Sequence, residues 1–153
     1  MMELESLRGR RVCVTGGAGF TGHFLALALK SHGAEVSVVD GFVVNNLARW
    51  VADTSPYRDR YMAILSERTQ LLREAGIPIF SVDLRHYHET SRVLASLQPQ
   101  AIVHLAAISH SGKSNKDRHD CFDHSINSLK SILDYAIGAK IEQVVLNDIQ
   151  HVP

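Results

Sequence analysis

Glycines spaced three apart, followed at a distance by single carboxylates, are the residues of this chain best suited to chemistry. Thr15-Gly16-Gly17-Ala18-Gly19-Phe20-Thr21-Gly22 joins a β-branched run, Arg11–Thr15, to an apolar period carried by Phe20, Phe24, Leu25, Leu27 and Leu29. That order predicts strand, tight turn, helix. Glycines there let the backbone turn sharply and come close to a pyrophosphate, while the first N–H groups of the helix point at the anion. The expected ligand is a dinucleotide. Eighteen residues past Gly22, the run Glu35–Val39 ends in Asp40, where an acid would meet the adenosine ribose. A carboxylate accepts from both ribose hydroxyls and repels a 2′-phosphate, and neither Gly41 nor Phe42 is basic. NAD is thus favoured over NADP.

The elements that must position these residues follow from the patterning. After a polar connection from Gly41 to Pro56, Tyr61, Ile64, Leu65, Leu71 and Leu72 predict a helix at about 58 to 75, with Gly76 as its stop. Ile77–Val82 reads as a third strand, its proline near the start, ending at Asp83. Thr90–Leu97 is a short helix closed by Pro99, and Ala101–Leu105 is a nearly continuous apolar run of the kind a strand buried on both faces shows. A polar loop from Ser109 to Asp120 leads to a helix at about 121 to 138. Phe122, Ile126, Leu129, Ile132, Leu133 and Ala136 mark its apolar side, and Gly138 its end. Gln143–Leu146 is a fifth strand. The expected fold is α/β, a doubly wound parallel sheet of Rossmann type with right-handed crossovers, cut off after about five strands. Residues 1–153 are expected to form a single domain.

Composition narrows the partners. Lys plus Arg and Asp plus Glu both number 16 and are scattered, so no basic stripe points to nucleic acid or a membrane surface. Residues 1–10 contain no apolar signal-type segment, and no run of about 18 apolar residues occurs, which gives a soluble, cytoplasmic expectation. The 2 cysteines, Cys13 and Cys121, have no metal or disulfide spacing and are expected to be free thiols. Nine histidines include His86-x-His88 and the near pair His119 and His124, but none has the spacing of a zinc site, and no metal is expected.

Four motifs in order resemble the N-terminal half of the extended short-chain dehydrogenase/reductases, the NAD-dependent nucleotide-sugar epimerase/dehydratase group. They are the glycine signature at Thr15–Gly22, the acid at Asp40, Asp83-Leu84-Arg85, and His104-Leu105-Ala106-Ala107. The resemblance implies that Gly16, Gly19, Phe20, Thr21 and Gly22 hold the pyrophosphate, Asp40 the ribose, Asp83 and Leu84 the adenine edge, and Ala106 and Ala107 the middle of the cofactor. Asp83 could equally cap the following helix, and Leu84 could be ordinary core. His104 ends a buried strand and reads as a structural histidine. The segment between Asp40 and Ile77, with Asn45-Asn46-Leu47, is more similar to the sulfoquinovose-synthase-type branch. The loop after Ala107 brings Ser109, His110, Lys113 and Lys116 towards the cofactor in that family, although a solvated loop is the simpler expectation.

The family's reaction uses a tyrosinate to take a proton from a sugar hydroxyl, with a lysine four residues on to lower the tyrosine pKa. No tyrosine here is followed by lysine at that spacing; Tyr135 has Lys140 at five. Gln150 stands about where the assisting serine belongs, and Ser125 where the preceding helix usually has asparagine. No catalytic residue is assigned within the 153 residues. Resemblance stops abruptly after Leu146, which gives the expectation of a truncated, frameshifted or split reading frame. The catalytic and substrate-binding part, and with it any nucleotide-sugar binding, would lie elsewhere. An apolar fifth strand left at a sheet edge would self-associate or pair with a complementing chain. Alternatives are a standalone dinucleotide-binding or sensor module and an inactive remnant.

Overall fold

The structure is a computed structural model that describes residues 7–43, 51, 54–107 and 118–146. In chain order it contains β1 (Arg11–Thr15), α1 (Phe20–Ser31), β2 (Glu35–Asp40), α2 (Arg58–Glu74), β3 (Ile79–Ser81), α3 (Tyr87–Leu97) and β4 (Ala101–His104). There follow α4 (Arg118–Phe122), a π-helical turn (Asp123–Asn127), α5 (Ser128–Ala139) and β5 (Gln143–Leu146). All strands are parallel, in the order β3-β2-β1-β4-β5. The expected doubly wound sheet is therefore present.

Alternation along each strand sends side chains to opposite faces and builds two cores. On one face Val12, Val14, Val36 and Val38 pack with Ala26 of α1 and Leu72 of α2. On the other, Cys13, Val39 and Ile102 pack with Leu94 of α3 and Ile132 of α5. Leu72, Leu94, Ile102 and Ile132 are fully buried, each worth about 1.5–3 kcal/mol relative to exposure.

Helix α1 approaches the sheet through its small residues. Gly22, His23 and Ala26 are its buried positions, while Phe20 and Phe24 face outward as an edge-to-face pair 5.7 Å apart. The apolar period of the sequence thus found the helix but not its packed face. Gly33, at φ 88°, closes α1, with Ala34 N–H donating to Leu29 C=O. Helix α2 matches the expected span, ends before Gly76 at φ 68°, and buries Leu65 and Leu72, whereas Tyr61 and Leu71 stay largely exposed.

Three expected boundaries move. The third strand is shorter than expected, because Pro78 lacks the ladder donor; its C=O still accepts from Val38 N–H at 2.9 Å. The helix expected from Thr90 begins at Tyr87. The helix expected at 121 to 138 spans Arg118–Ala139 and is interrupted by the π turn. That turn shifts the register, so Phe122 and Ile126 face solvent, and the buried stripe is Ser128, Ser131, Ile132 and Ala136. Gly138 lies inside the last helical turn; the left-handed closing residue is Lys140, at φ 54°.

Candidate functional site

The strand order reverses direction at β1: the chain builds outward through β2 and β3, then returns to place β4 on the other side. The loops leaving the C-terminal ends of β1 and β4 go to opposite faces, and the crevice between them is where such sheets hold ligands. The glycine motif occupies one wall, and Leu105-Ala106-Ala107 the other.

Each glycine has a geometric reason. Gly16 has φ 72°, and a Cβ on it would lie 2.7 Å from Ala106 N and 2.9 Å from Ala106 Cα, so the two walls touch there, backbone to backbone. A Cβ on Gly17 would meet the Val38 methyls at 2.6 and 2.7 Å. On Gly22 it would strike Gly16 O and lie 2.7 Å from Gly17 Cα, which is how α1 starts directly beneath the loop. Gly19 is the N-cap of α1, with no side-chain cap and no acid in the first turn. The first helical bond runs from His23 N–H to Gly19 C=O, so the N–H groups of Phe20, Thr21 and Gly22 precede it at the positive end of the helix. An anion of pyrophosphate size suits this cradle, since the close backbone approach and the uncapped N–H groups coincide.

Asp40, at the end of β2, is buried and binds the loop itself. Its Oδ2 accepts from Ala18 N–H at 3.0 Å and its Oδ1 from Phe42 N–H at 2.8 Å. Burial pushes its carboxyl above the ordinary carboxylate value, while the Phe42 and Ala18 N–H groups favour the ionised form. Val82 N–H donates to Asp40 C=O, and a Cβ on Gly41 would lie 3.4 Å from Asp83 Cα, so Asp83 is next along the same rim.

Asp83 does not cap α3. The N-cap is His86, without a side-chain bond. The Asp83 carboxylate instead takes a forked contact from Arg85, whose guanidinium holds it below the usual carboxylate range. Leu84 is buried among Val39, Leu94 and Ile102, as an ordinary core residue would be. Ala106 and Ala107 are partly buried at the crevice, and Ser128 Oγ donates to Ala106 C=O at 3.3 Å.

Beneath the crevice, Thr15 Oγ1 lies 2.7 Å from His104 Nδ1, and Leu105 N–H donates to Thr15 C=O. Both side chains are buried, and burial pulls His104 down to about 4, so it is neutral at pH 7. The histidine is structural, as the sequence suggested, but its partner is a hydroxyl 89 residues away rather than a backbone group. That pairing has no sequence signal, nor do Arg85–Asp123 and Asp40–Ala18; the contact at Gly17 could have been suspected from the motif. Asn45, Asn46, Leu47, Ser109, His110, Lys113, Lys116 and Gln150 lie outside the described residues.

An open cavity of about 430 Å³ lies at the opposite, N-terminal end of the sheet, lined by residues including Arg11, Gln98, Gln100 and Glu142. Its polar groups bond one another: Arg11 Nε donates to Gln98 C=O at 2.7 Å and Arg11 N–H to Gln100 Oε1 at 3.2 Å. The crevice, not this cavity, brings together the residues singled out from sequence. Among the described residues no group of three or more His, Cys, Asp or Glu could hold a metal ion. None of their helices is long and apolar enough to cross a membrane.

The profile of the NAD dependent epimerase/dehydratase family matches residues 12–147. The chain belongs to this family. It is 26% identical over 136 residues to the bifunctional protein GAL10 of Pachysolen tannophilus, covering 89% of this chain and 17% of that protein. With the bifunctional protein gal10 of Schizosaccharomyces pombe it shares 24% identity over 136 residues, again 89% of this chain and 17% of the relative. Among solved structures, epimerase Mth375 of Methanothermobacter thermautotrophicus superposes with a TM-score of 0.70 at 23% identity, over 95% of this chain and 37% of its own. The UDP-glucose 4-epimerase of Thermus thermophilus, solved in complex with NAD, gives 0.66 at 25% identity, over 88% of this chain and 36% of its own. This family member therefore spans 17% of the two curated relatives and little more than a third of the solved chains.

Proposed function

We propose that this chain is the cofactor-holding part of a nucleotide-sugar epimerase/dehydratase-type enzyme and binds NAD in preference to NADP. The observation that carries the reading is the cradle at Gly16, Gly19 and Gly22 under the uncapped start of α1, with Asp40 at the neighbouring strand end. The N–H groups of Phe20, Thr21 and Gly22 hold the pyrophosphate, Asp40 the adenosine ribose, Asp83 the adenine edge beside Leu84, whose side chain stays in the core, and Ala106 and Ala107 the middle of the cofactor. Asp40 already accepts two N–H groups, which keeps its oxygens fixed towards hydroxyl donors and hostile to a phosphate. When bound, NAD supplies hydride acceptance and return.

The proton-transferring tyrosine and its lysine come from outside these residues, since no Tyr-x-x-x-Lys occurs in the sequence. The same absence favours a second reading, a dinucleotide-binding module without turnover. A nucleotide-sugar substrate would bind only together with elements outside these 153 residues. Strand β5 pairs with β4 alone among the described strands and exposes Val145 (41%) and Leu146 (47%), so its open edge is the place for a further strand, and a second copy or a complementing chain could occupy it. A cytoplasmic location belongs to the same proposal.

Calorimetric titration with NAD and NADP tests it. Saturable NAD binding, weaker NADP binding and a loss of NAD affinity in Asp40→Ala are expected; a folded chain that ignores NAD refutes it. Turnover of a nucleotide sugar on adding a complementing chain separates the enzyme part from the binding module.

A further inference from the structure

Arg85 is the charged side chain that ties the cofactor rim together. Its Nε donates to Asp83 Oδ1 at 3.0 Å and Oδ2 at 3.2 Å, its Nη2 to Asp83 Oδ2 at 2.6 Å, and its own backbone N–H to Asp83 Oδ1 at 3.1 Å. The other arm of the guanidinium, Nη1, donates to Asp123 Oδ2 at 2.6 Å, and Asp123 Oδ1 accepts from Asn127 Nδ2 at 2.6 Å. Asp123 is the first residue of the π turn, so the arginine ties the loop after β3 to the helix that packs on α3. π turns inside α-helices are often found at functional sites.

A carboxylate offers about four acceptor positions. On Asp83 three N–H groups of Arg85 take three of them, the Nε hydrogen being shared between Oδ1 and the more distant Oδ2, so one position is left, on Oδ2. A carboxylate on a free side chain could rotate to suit a different donor; this one is held by a planar fork that is itself held at its far end. We propose that Arg85, clamped between Asp83 and Asp123, sets the base specificity of the site: it locks Asp83 with a single acceptor position open, selecting a 6-amino purine over a 6-oxo purine. The inference rests on the proposed reading that Asp83 faces the adenine edge. A 6-oxo base sets its carbonyl oxygen against the fixed Oδ2, acceptor to acceptor, and its N1–H lies off the open position. Once released, Asp83 can turn to accept from N1–H, and discrimination falls.

The test titrates the full chain and its Arg85→Met, Arg85→Lys and Asp123→Asn variants with NAD and with the corresponding hypoxanthine dinucleotide. For the wild type, NAD should bind roughly tenfold or more tighter than the 6-oxo analogue, as expected for one charge-assisted hydrogen bond. In Arg85→Met and Arg85→Lys the ratio should shrink to about threefold or less, lysine keeping the charge but not the fork. Asp123→Asn should fall between, and it serves if an Arg85 variant does not fold. A purely structural role would weaken both ligands together and leave the ratio unchanged, which overturns the proposal. So does a wild type that binds NAD but does not discriminate. A folded wild type that binds neither dinucleotide removes the NAD reading itself.

Discussion

Three Gly→Ala substitutions probe whether the two walls of the crevice meet as described. In Gly16→Ala the new methyl would sit 2.7 Å from Ala106 N and 2.9 Å from Leu105 C, on a residue at φ 72°. The left-handed backbone costs an alanine about 1–2 kcal/mol. The contact adds about 1–3 kcal/mol, because the obstacle is backbone and cannot swing aside. The sum is about 2–5 kcal/mol, a large part of a domain's usual stability. Gly76 has nearly the same φ, 68°, but nothing within 4 Å of its Cβ position, so Gly76→Ala should cost only the backbone share, about 1–2 kcal/mol. Gly138 is helical and equally unobstructed, so Gly138→Ala should stabilise by about 0.5–1 kcal/mol. Urea unfolding followed by circular dichroism orders the three through their midpoints at constant slope. If Gly16→Ala is no more damaging than Gly76→Ala, the ends of β1 and β4 are not in contact.

Further outcomes follow from titratable and exposed groups. His104 lies below its ordinary value, near 4, so it contributes stability fully present above about pH 6.5 and lost as pH falls towards 4, at most about 3 kcal/mol; His104→Gln should flatten a stability profile over that window. Asp83 also lies below its ordinary value, so its contribution is present at neutral pH and lost on acidification; being partly exposed, it should amount to less than about 1 kcal/mol, measured by comparing Asp83→Asn with wild type at about pH 7 and about pH 3. Cys13 is fully buried and pushed up to about 12, so a thiol reagent should modify Cys121 quickly and Cys13 only at the rate of unfolding, as mass mapping would reveal. Val145→Lys places a charge on the open edge strand and should lower any self-association seen by sedimentation; an unchanged mass distribution rules that edge out as the contact.

Local chemistry made the sheet and its ligand end readable. Gly16 to Gly22, Asp40 and Asp83 announce themselves because turn geometry, helix start and strand end are written within a few residues. The β-branched runs gave the strands, and Gly76 the end of α2. What stayed hidden depends on distant partners. Phe20 and Phe24 look like core from periodicity, yet Gly22 and Ala26 pack, because a helix sits closer to a sheet through small residues. The π turn moved Phe122 and Ile126 outward, since one added residue per turn rotates everything on its far side, and no residue type signals it. Thr15–His104 and Arg85–Asp123 join residues far apart in the chain, which only the fold brings together.

Amide NMR of the ¹⁵N-labelled chain titrated with NAD tests most directly whether the crevice holds the dinucleotide. The N–H signals of Gly19, Phe20, Thr21 and Gly22 should move first and furthest, with Ala106 and Ala107 responding and Gln98, Gln100 and Lys140 at the opposite cavity still. Shifts centred on that opposite cavity, or none at the start of α1 at saturating NAD, would contradict the assignment of the site.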